Sequence, residues 1–104
     1  MMTKKSAFEA ASGFDEELAV AFNDIDYCLK LNKAGLKVVY DPYACFLHYE
    51  SKTRGQDNTE EKNERYMQEL TLFTERWKEI YQNGDPYYNP NLSVTKTDYS
   101  LKDL

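Results

Sequence analysis

Apolar residues recur at helical spacing along two stretches of this chain. In the longer stretch they return every three or four positions between charged faces, which predicts a long amphipathic helix with one aromatic-rich stripe. The sequence Asn-Gly-Asp-Pro at 83–86 is expected to end this helix. The stripe consists of Tyr66, Leu70, Phe73, Trp77 and Ile80.

A second helix is predicted just before the middle of the chain. Asn23 or Asp24 is a suitable N-cap, and Gly35 marks the expected end. Between them an apolar face is formed by Tyr27, Cys28, Leu31 and Ala34. Ahead of it, three acids at 15–17 and the apolar residues Leu18, Ala21 and Phe22 indicate a further short helix, which follows a turn at Ser12-Gly13.

Strand propensity is concentrated between the two main helices. Residues 36–40 and 43–49 are rich in β-branched and aromatic side chains, and Asp41-Pro42 separates them. The pattern predicts two short strands around a proline turn. Residues 50–63 are polar and predict a surface loop, and residues 86–104 predict an irregular tail. At 104 residues, we expect a single domain over 1–104.

Charge and composition exclude several classes of function. The chain carries 18 acidic and 13 basic side chains, a net charge of -5, and no basic cluster that could bind nucleic acid. No apolar run is long enough to span a membrane, and the N-terminus has no apolar core typical of a signal peptide. The expected location is the cytoplasm, in solution or at the inner face of the membrane. Cys28 and Cys45 are interpreted as small buried hydrophobes.

Candidate chemistry begins with the acidic pair Asp24 and Asp26. Their D-x-D spacing is that of a metal-binding signature, but residues two apart on a helix point about 200° apart and cannot share one ion. We therefore assign one acid to chemistry and the other to solvent or to the helix N-terminus. The alternative is that Asn23 and both acids only cap the helix, which is the commoner role of short polar residues at this place.

The only histidine, His48, follows in the second predicted strand. An imidazole near a carboxylate could transfer protons or bind a metal ion. A lone histidine between Leu47 and Tyr49 is more often a hydrogen-bonded core residue, and this alternative stays open.

Several motifs taken together resemble the C-terminal half of the family 2 glycosyltransferases, in the branch that builds bacterial cell-surface polysaccharides. They are G-F-D-E at 13–16, N-D-I-D-Y-C-L-K-L at 23–31, A-G-L-K-V-V-Y-D-P-Y-A at 34–44, H-Y-E-S-K-T-R-G at 48–55, F-T-E-R-W at 73–77 and D-P-Y-Y-N-P-N-L-S at 85–93. The resemblance implies an α/β fold: a partial GT-A fragment, mainly helical with two or three short strands.

The same resemblance implies roles for individual residues. Asp24 matches the general base that takes the proton of the acceptor hydroxyl in inverting transfer, and His48 matches a ligand of the divalent cation on the donor diphosphate. The resemblance also implies that the acceptor-binding residues are Gly13, Phe14, Asp15 and Asn23. Two departures are Asn23, where the family often has Glu, and Ser12, where it often has Gly.

The implied function is the acceptor-side part of an inverting enzyme that moves a hexose from a nucleotide-diphosphate sugar to a glycan hydroxyl. Mn²⁺ or Mg²⁺ is the implied cofactor of the complete enzyme, and no tightly bound cofactor is expected here. The chain lacks the family's nucleotide-binding unit, so we expect it to be inactive alone. An exposed helix face and sheet edge would favour a homo-oligomer. The alternative from another class is a non-catalytic module in which the long helix binds a partner.

Overall fold

Four helices make up the regular structure of the residues that the structure describes. The structure, a computed structural model, describes residues 1–49 and 59–103. The helices are α1 (Lys5–Ala10), α2 (Asn23–Lys33), α3 (Glu60–Arg76) and α4 (Lys78–Asn83). The described residues form no β-strand, and one isolated antiparallel bridge joins Leu92 to Leu101.

Helix α2 covers the predicted stretch, but its N-cap is Phe22, without a side-chain cap hydrogen bond, so the prediction of Asn23 or Asp24 as N-cap is wrong. Its first turn carries Asp24 and Asp26 and its last turn carries Lys30 and Lys33, so both ends complement the helix dipole. Beyond the helix, Gly35 adopts a φ of +85°, a left-handed conformation that glycine enters without steric cost. The predicted end of this helix is therefore confirmed.

The predicted long helix is interrupted near its C-terminal end. Thr59 caps α3 by accepting a hydrogen bond from the Lys62 backbone N–H, and the helix runs as far as Arg76. Trp77 then departs from helical geometry, with φ -109° and ψ 29°, and α4 continues from Lys78. The prediction of one continuous helix is thus wrong at Trp77, whose backbone leaves the helical conformation and whose indole is buried in the core.

The core is small and lies where α3 and α4 meet the segment before α2. Its buried members are Leu18, Phe73 and Trp77. Phe22 stacks on Phe73 with ring centroids 5.1 Å apart. Leu29, Leu72 and Ile80 pack around this cluster. The aromatic stripe of the long helix is therefore buried, in part, against the same chain.

Residues 14–22 form turns and bends and not the predicted short helix. The predicted turn at Ser12-Gly13 is present, with φ values of 61° and 66°, and Phe22 has a φ of 64°, which a right-handed helix does not allow. The backbone N–H groups near the end of this segment bond to a side chain of α3. Tertiary contacts thus override the local acid-rich pattern that favoured a helix.

The expected α/β class with two or three short strands is wrong for the described part of the chain. Residues 36–49 have no regular structure apart from a turn at 42–43, and all are exposed, including Tyr40 at 90% and Tyr43 at 93%. A strand needs a neighbouring strand for its backbone hydrogen bonds, and an isolated pair of short strands is marginal in water. The described residues provide no sheet on which these runs could pair.

Residues 84–103 follow the last helix as a series of turns. The Tyr88 hydroxyl donates to the Ser93 carbonyl at 2.8 Å, and Ser93 and Lys102 donate backbone hydrogen bonds to Ser100 and Asn91. None of the helices in the described ranges has the length and apolar character needed to cross a bilayer.

Candidate functional site

The turn at residues 12–13 is fixed by packing from two sides. Gly13 is buried, its φ is +66°, and a Cβ atom there would stand 3.0 Å from the Phe8 ring. Its carbonyl oxygen accepts a hydrogen bond from Lys30 Nζ of α2 at 3.0 Å. Glycine is required here both for conformation and for space. The turn is thereby attached to α1 and to α2.

The next two residues of the predicted acceptor site are engaged within the fold. Phe14 packs edge-on against Phe8 and Tyr27, with ring centroids 5.3 and 5.6 Å away. Asp15 binds Arg76 of α3, with Oδ2 and Nη2 2.6 Å apart. Phe14 keeps an exposed edge, 43% of its surface, that an acceptor could contact.

Asp24 lies at the exposed start of α2. Its carboxylate accepts a hydrogen bond from the backbone N–H of Ile25 at 2.8 Å, and solvent reaches the residue. Asn23 beside it is half-buried. An exposed carboxylate in the first turn of a helix can contact a ligand from solution, as a general base for a bound hydroxyl must.

Asp26 has a different environment, and its role was missed by the sequence reasoning. It is fully buried, and its Oδ1 accepts hydrogen bonds from Arg76 Nη1 at 3.0 Å and from Trp77 Nε1 at 2.9 Å. Lys30 Nζ lies 3.8 Å from the other oxygen. The assignment of this acid to solvent or to the helix N-terminus is therefore wrong. Asp26 is a core residue that joins α2 to α3.

Glu69 is a second buried acid that sequence reasoning missed. Only 4% of its surface is exposed, and its two oxygens accept hydrogen bonds from the backbone N–H groups of Val20 and Ala21, at 3.2 and 2.9 Å. One signal was available, because Glu69 lies three residues after Tyr66 and four before Phe73 and so falls on the same face of α3 as the apolar stripe. A carboxylate at such a place needs donors, and a loop without regular structure offers them.

Hydrogen bonds, with help from opposite charges, shift two pKa values at this site. The pKa of Asp15 is lowered, chiefly by the hydrogen bond from the Glu17 backbone N–H, against the effect of burial and with help from Arg76. The pKa of Arg76 is raised, first by its hydrogen bond to Asp26 and then by Asp15, although burial opposes this. Arg76 therefore holds two carboxylates as a permanent cation.

His48 lies in the exposed segment 36–49, outside the core around Trp77. A divalent cation needs several converging ligands. Within residues 1–49 and 59–103, no three His, Cys, Asp or Glu side chains converge to hold a metal ion. His48 would be one ligand among several, and the described residues do not supply the others. Residues 50–55 of the histidine-containing motif lie outside the described residues.

The cysteines do not match the interpretation of two buried hydrophobes. Both are free thiols, with Cys28 half-buried and Cys45 exposed. Burial raises the pKa of the Cys28 thiol, and the nearby Asp24 carboxylate raises it further. Neither thiol is paired in a disulfide.

Known proteins similar to this chain include one named for O-antigen synthesis, one named for sugar transfer and one of unassigned function. Over 102 residues, 97% of the chain, it is 42% identical to the uncharacterized protein y4gI of Sinorhizobium fredii, and 34% identical over 98% of its length to the O-antigen biosynthesis protein RfbC of Myxococcus xanthus. Over 57 residues, 55% of the chain, it is 37% identical to N-acetylglucosaminyl-diphospho-decaprenol L-rhamnosyltransferase of Mycobacterium tuberculosis.

The chain spans only a small part of these relatives. It covers 11% of the Sinorhizobium protein, 8% of RfbC and 19% of the rhamnosyltransferase. No family profile matches the chain, and no solved structure does. The similarity indicates a glycosyltransferase-related chain.

Proposed function

We propose that this chain forms the acceptor-binding part of an inverting glycosyltransferase of cell-surface polysaccharide synthesis. The main support for this proposal is the difference between the two acids of the D-x-D pair. Asp24 is exposed at the start of α2, whereas Asp26 is fully buried. Of the two, Asp24 has access to a bound acceptor. The partial similarity to a rhamnosyltransferase supports sugar transfer, and the similarity of almost the whole chain to RfbC supports a role in O-antigen synthesis.

The proposed chemistry is a single displacement. The acceptor hydroxyl oxygen attacks the anomeric carbon of a hexose on a nucleotide diphosphate while Asp24 takes the hydroxyl proton. The bond between the anomeric carbon and the diphosphate oxygen breaks, and the nucleoside diphosphate leaves with its electron pair. A positioned base contributes about 10²- to 10⁴-fold to such a step. The exposed edge of Phe14 would contact the acceptor sugar by apolar stacking.

A divalent cation, Mn²⁺ or Mg²⁺, would neutralise the leaving diphosphate in the complete enzyme. The described residues do not fit such an ion by themselves, since His48 is a single candidate ligand. Donor binding is therefore expected to require additional polypeptide, and the isolated chain is expected to be inactive. Titration of a nucleotide-diphosphate sugar with Mn²⁺ into the chain, followed by calorimetry, should give no measurable heat of binding. Tight donor binding would contradict this expectation.

A chimera tests the base directly. The segment of Myxococcus xanthus RfbC that aligns with this chain would be replaced by residues 1–104, and O-antigen would be measured on lipopolysaccharide gels. The Asp24→Asn chimera should lose transfer by about 10²- to 10⁴-fold. Asp98→Asn, which removes an exposed carboxylate outside the site, is the matched control and should retain it. Full O-antigen synthesis by the Asp24→Asn chimera would refute Asp24 as the base.

The alternative of a helical interaction module has lost its main support. That alternative needs the aromatic stripe of the long helix to be free for a partner, but Phe73 and Trp77 are buried against Leu18 and Phe22. No observation in the described residues favours this alternative over the glycosyltransferase-related function.

A further inference from the structure

Two buried acids and one arginine connect α3 to the segment that carries Asp24. Glu69 accepts hydrogen bonds from the Val20 and Ala21 backbone N–H groups. Two turns later, about 10 Å along the helix axis, Arg76 binds Asp15 and Asp26. Side chains of α3 thus hold residues 15–26 at the beginning, near the middle and at the end. We use the name α3 clamp for Glu69 and Arg76 together with their three groups of contacts.

Asp24 lies inside the clamped segment without touching the clamp itself. It is three residues after Ala21 and two residues before Asp26. Its own carboxylate bonds locally, to the Ile25 backbone N–H. The backbone on both sides of Asp24 is therefore fixed by α3, and the direction in which Asp24 faces solvent is fixed with it.

Stability alone is a weak explanation for such a clamp. Removing the Asp26 and Glu69 carboxylates from water carries a large desolvation cost, and apolar side chains of similar volume often stabilise a core as well or better. Directional hydrogen bonds, in contrast, specify one arrangement of loop and helix. Arg76 suits this task because its planar fork can bind two carboxylates at fixed angles.

We propose that the α3 clamp positions Asp24, with Glu69 and Arg76 as positioning residues that act through residues 15–26. The catalytic meaning of this inference rests on the proposed function, whereas the positioning itself can be measured in the isolated chain. Glu69 and Arg76 bind the segment on either side of Asp24, so their effect on Asp24 must travel through the backbone of residues 15–26.

The Ile25 backbone N–H provides the readout. Because it donates to Asp24 Oδ1, its chemical shift should change with pH as the Asp24 carboxylate is protonated. The shift would be followed by ¹⁵N NMR in the wild-type chain, and Asp24→Asn should remove the Asp24 contribution. Urea unfolding followed by circular dichroism would give the global stability of each variant separately.

The informative variants are Glu69→Gln, Arg76→Lys and Arg76→Met. If the clamp positions Asp24, Arg76→Met should at least halve the pH-dependent shift of Ile25 in the folded chain, and Arg76→Lys should restore part of it. Glu64→Gln and Lys78→Met remove exposed charges near Glu69 and Arg76 and should leave the shift unchanged. A purely structural clamp would lower the urea midpoint and leave the Ile25 titration at its wild-type amplitude.

Each outcome has a defined meaning. If Glu69→Gln and Arg76→Met stay folded and the Ile25 shift changes with pH as in the wild type, the positioning role is overturned. Loss of the fold in the mild variants Glu69→Gln and Arg76→Lys would also overturn it, because the clamp would then be structural. In the RfbC chimera, a kcat lowered at least tenfold by Arg76→Met with an unchanged donor KM supports positioning in catalysis. Retained transfer by Asp24→Asn would instead refute the proposed function, whatever the NMR result.

Discussion

Helix α3 and the segment 36–49 are both rich in large apolar side chains, but only α3 buries part of them in the core. Phe73 of α3 is 5% exposed, whereas Tyr43 is 93% exposed. A helix satisfies its own backbone hydrogen bonds and needs only a surface for its apolar face, which residues 18–22 provide. A strand needs a partner for its backbone as well. The contrast teaches that a helical segment can complete its packing within a short chain, whereas a strand segment depends on a sheet.

The largest expected effect is the loss of an aromatic ring from the packed region. Phe73→Ala removes a ring stacked on Phe22 and should lower the free energy of unfolding by about 3–5 kcal/mol. Tyr40→Ala removes a ring of similar size from the exposed segment and should change it by less than about 0.5 kcal/mol. Urea unfolding followed by circular dichroism measures both. Equal losses of unfolding free energy in the two variants would contradict the difference between the two regions.

The next effect separates the two acids of the D-x-D pair. Asp26→Ala leaves the Arg76 guanidinium and the Trp77 indole N–H without their common acceptor and should cost about 2–3 kcal/mol. Asp24→Ala removes only an exposed carboxylate from the first turn of α2, at a cost of about 0.3–1 kcal/mol through the helix dipole. Similar values for the two variants in urea unfolding would contradict their different environments.

A smaller effect is expected at Gly13. Gly13→Ala must place a Cβ atom in a left-handed conformation and 3.0 Å from the Phe8 ring, so we expect a loss of about 2 kcal/mol in the free energy of unfolding. Gly84→Ala is the control, because its φ is also positive, at +77°, but no atom lies within 4 Å of the added Cβ. Its loss should be about 1 kcal/mol. The difference between the two variants in urea unfolding measures the contact with Phe8.

The smallest effect is a dependence of stability on acid pH. The folded-state pKa of Asp15 is lowered, so the stabilisation it brings is fully present above the ordinary aspartate range and is lost as the pH falls through the lowered value. Asp15→Asn should therefore flatten the decline of unfolding free energy below about pH 4. Phe73→Ala serves as the control, because it lowers stability without removing an acid and should keep the wild-type slope.

Local patterns predicted the helices better than the connections between them. The dipole-matched ends of α2 and the stripe of α3 follow from periodicity, which acts within a few residues. The turns at 15–22 could not be predicted in this way, because Glu69 holds them from 48 or 49 residues away. The prediction of strands was wrong for a related reason, since β-propensity reflects the packing of a side chain against neighbouring strands.

The candidate site was predictable only in the part that is local in the sequence. Asp24, Gly13, Phe14 and Asp15 lie close together along the sequence, and the structure ties the turn that contains Gly13 to α2 through Lys30. Whether Asp24 acts as a base and His48 as a metal ligand stays a prediction. The buried half, Asp26 with Arg76, required knowledge of which side chains meet across 50 residues, and no spacing in the sequence specifies that pairing.

The hydrogen bond from Trp77 Nε1 to Asp26 has a practical consequence. Trp77 is the single tryptophan of the chain, and its indole is buried beside a carboxylate. Intrinsic fluorescence excited near the red edge of the indole band therefore arises from one reporter in the middle of the fold. Its emission wavelength and quenching should register any rearrangement between α2 and α3 without an added dye.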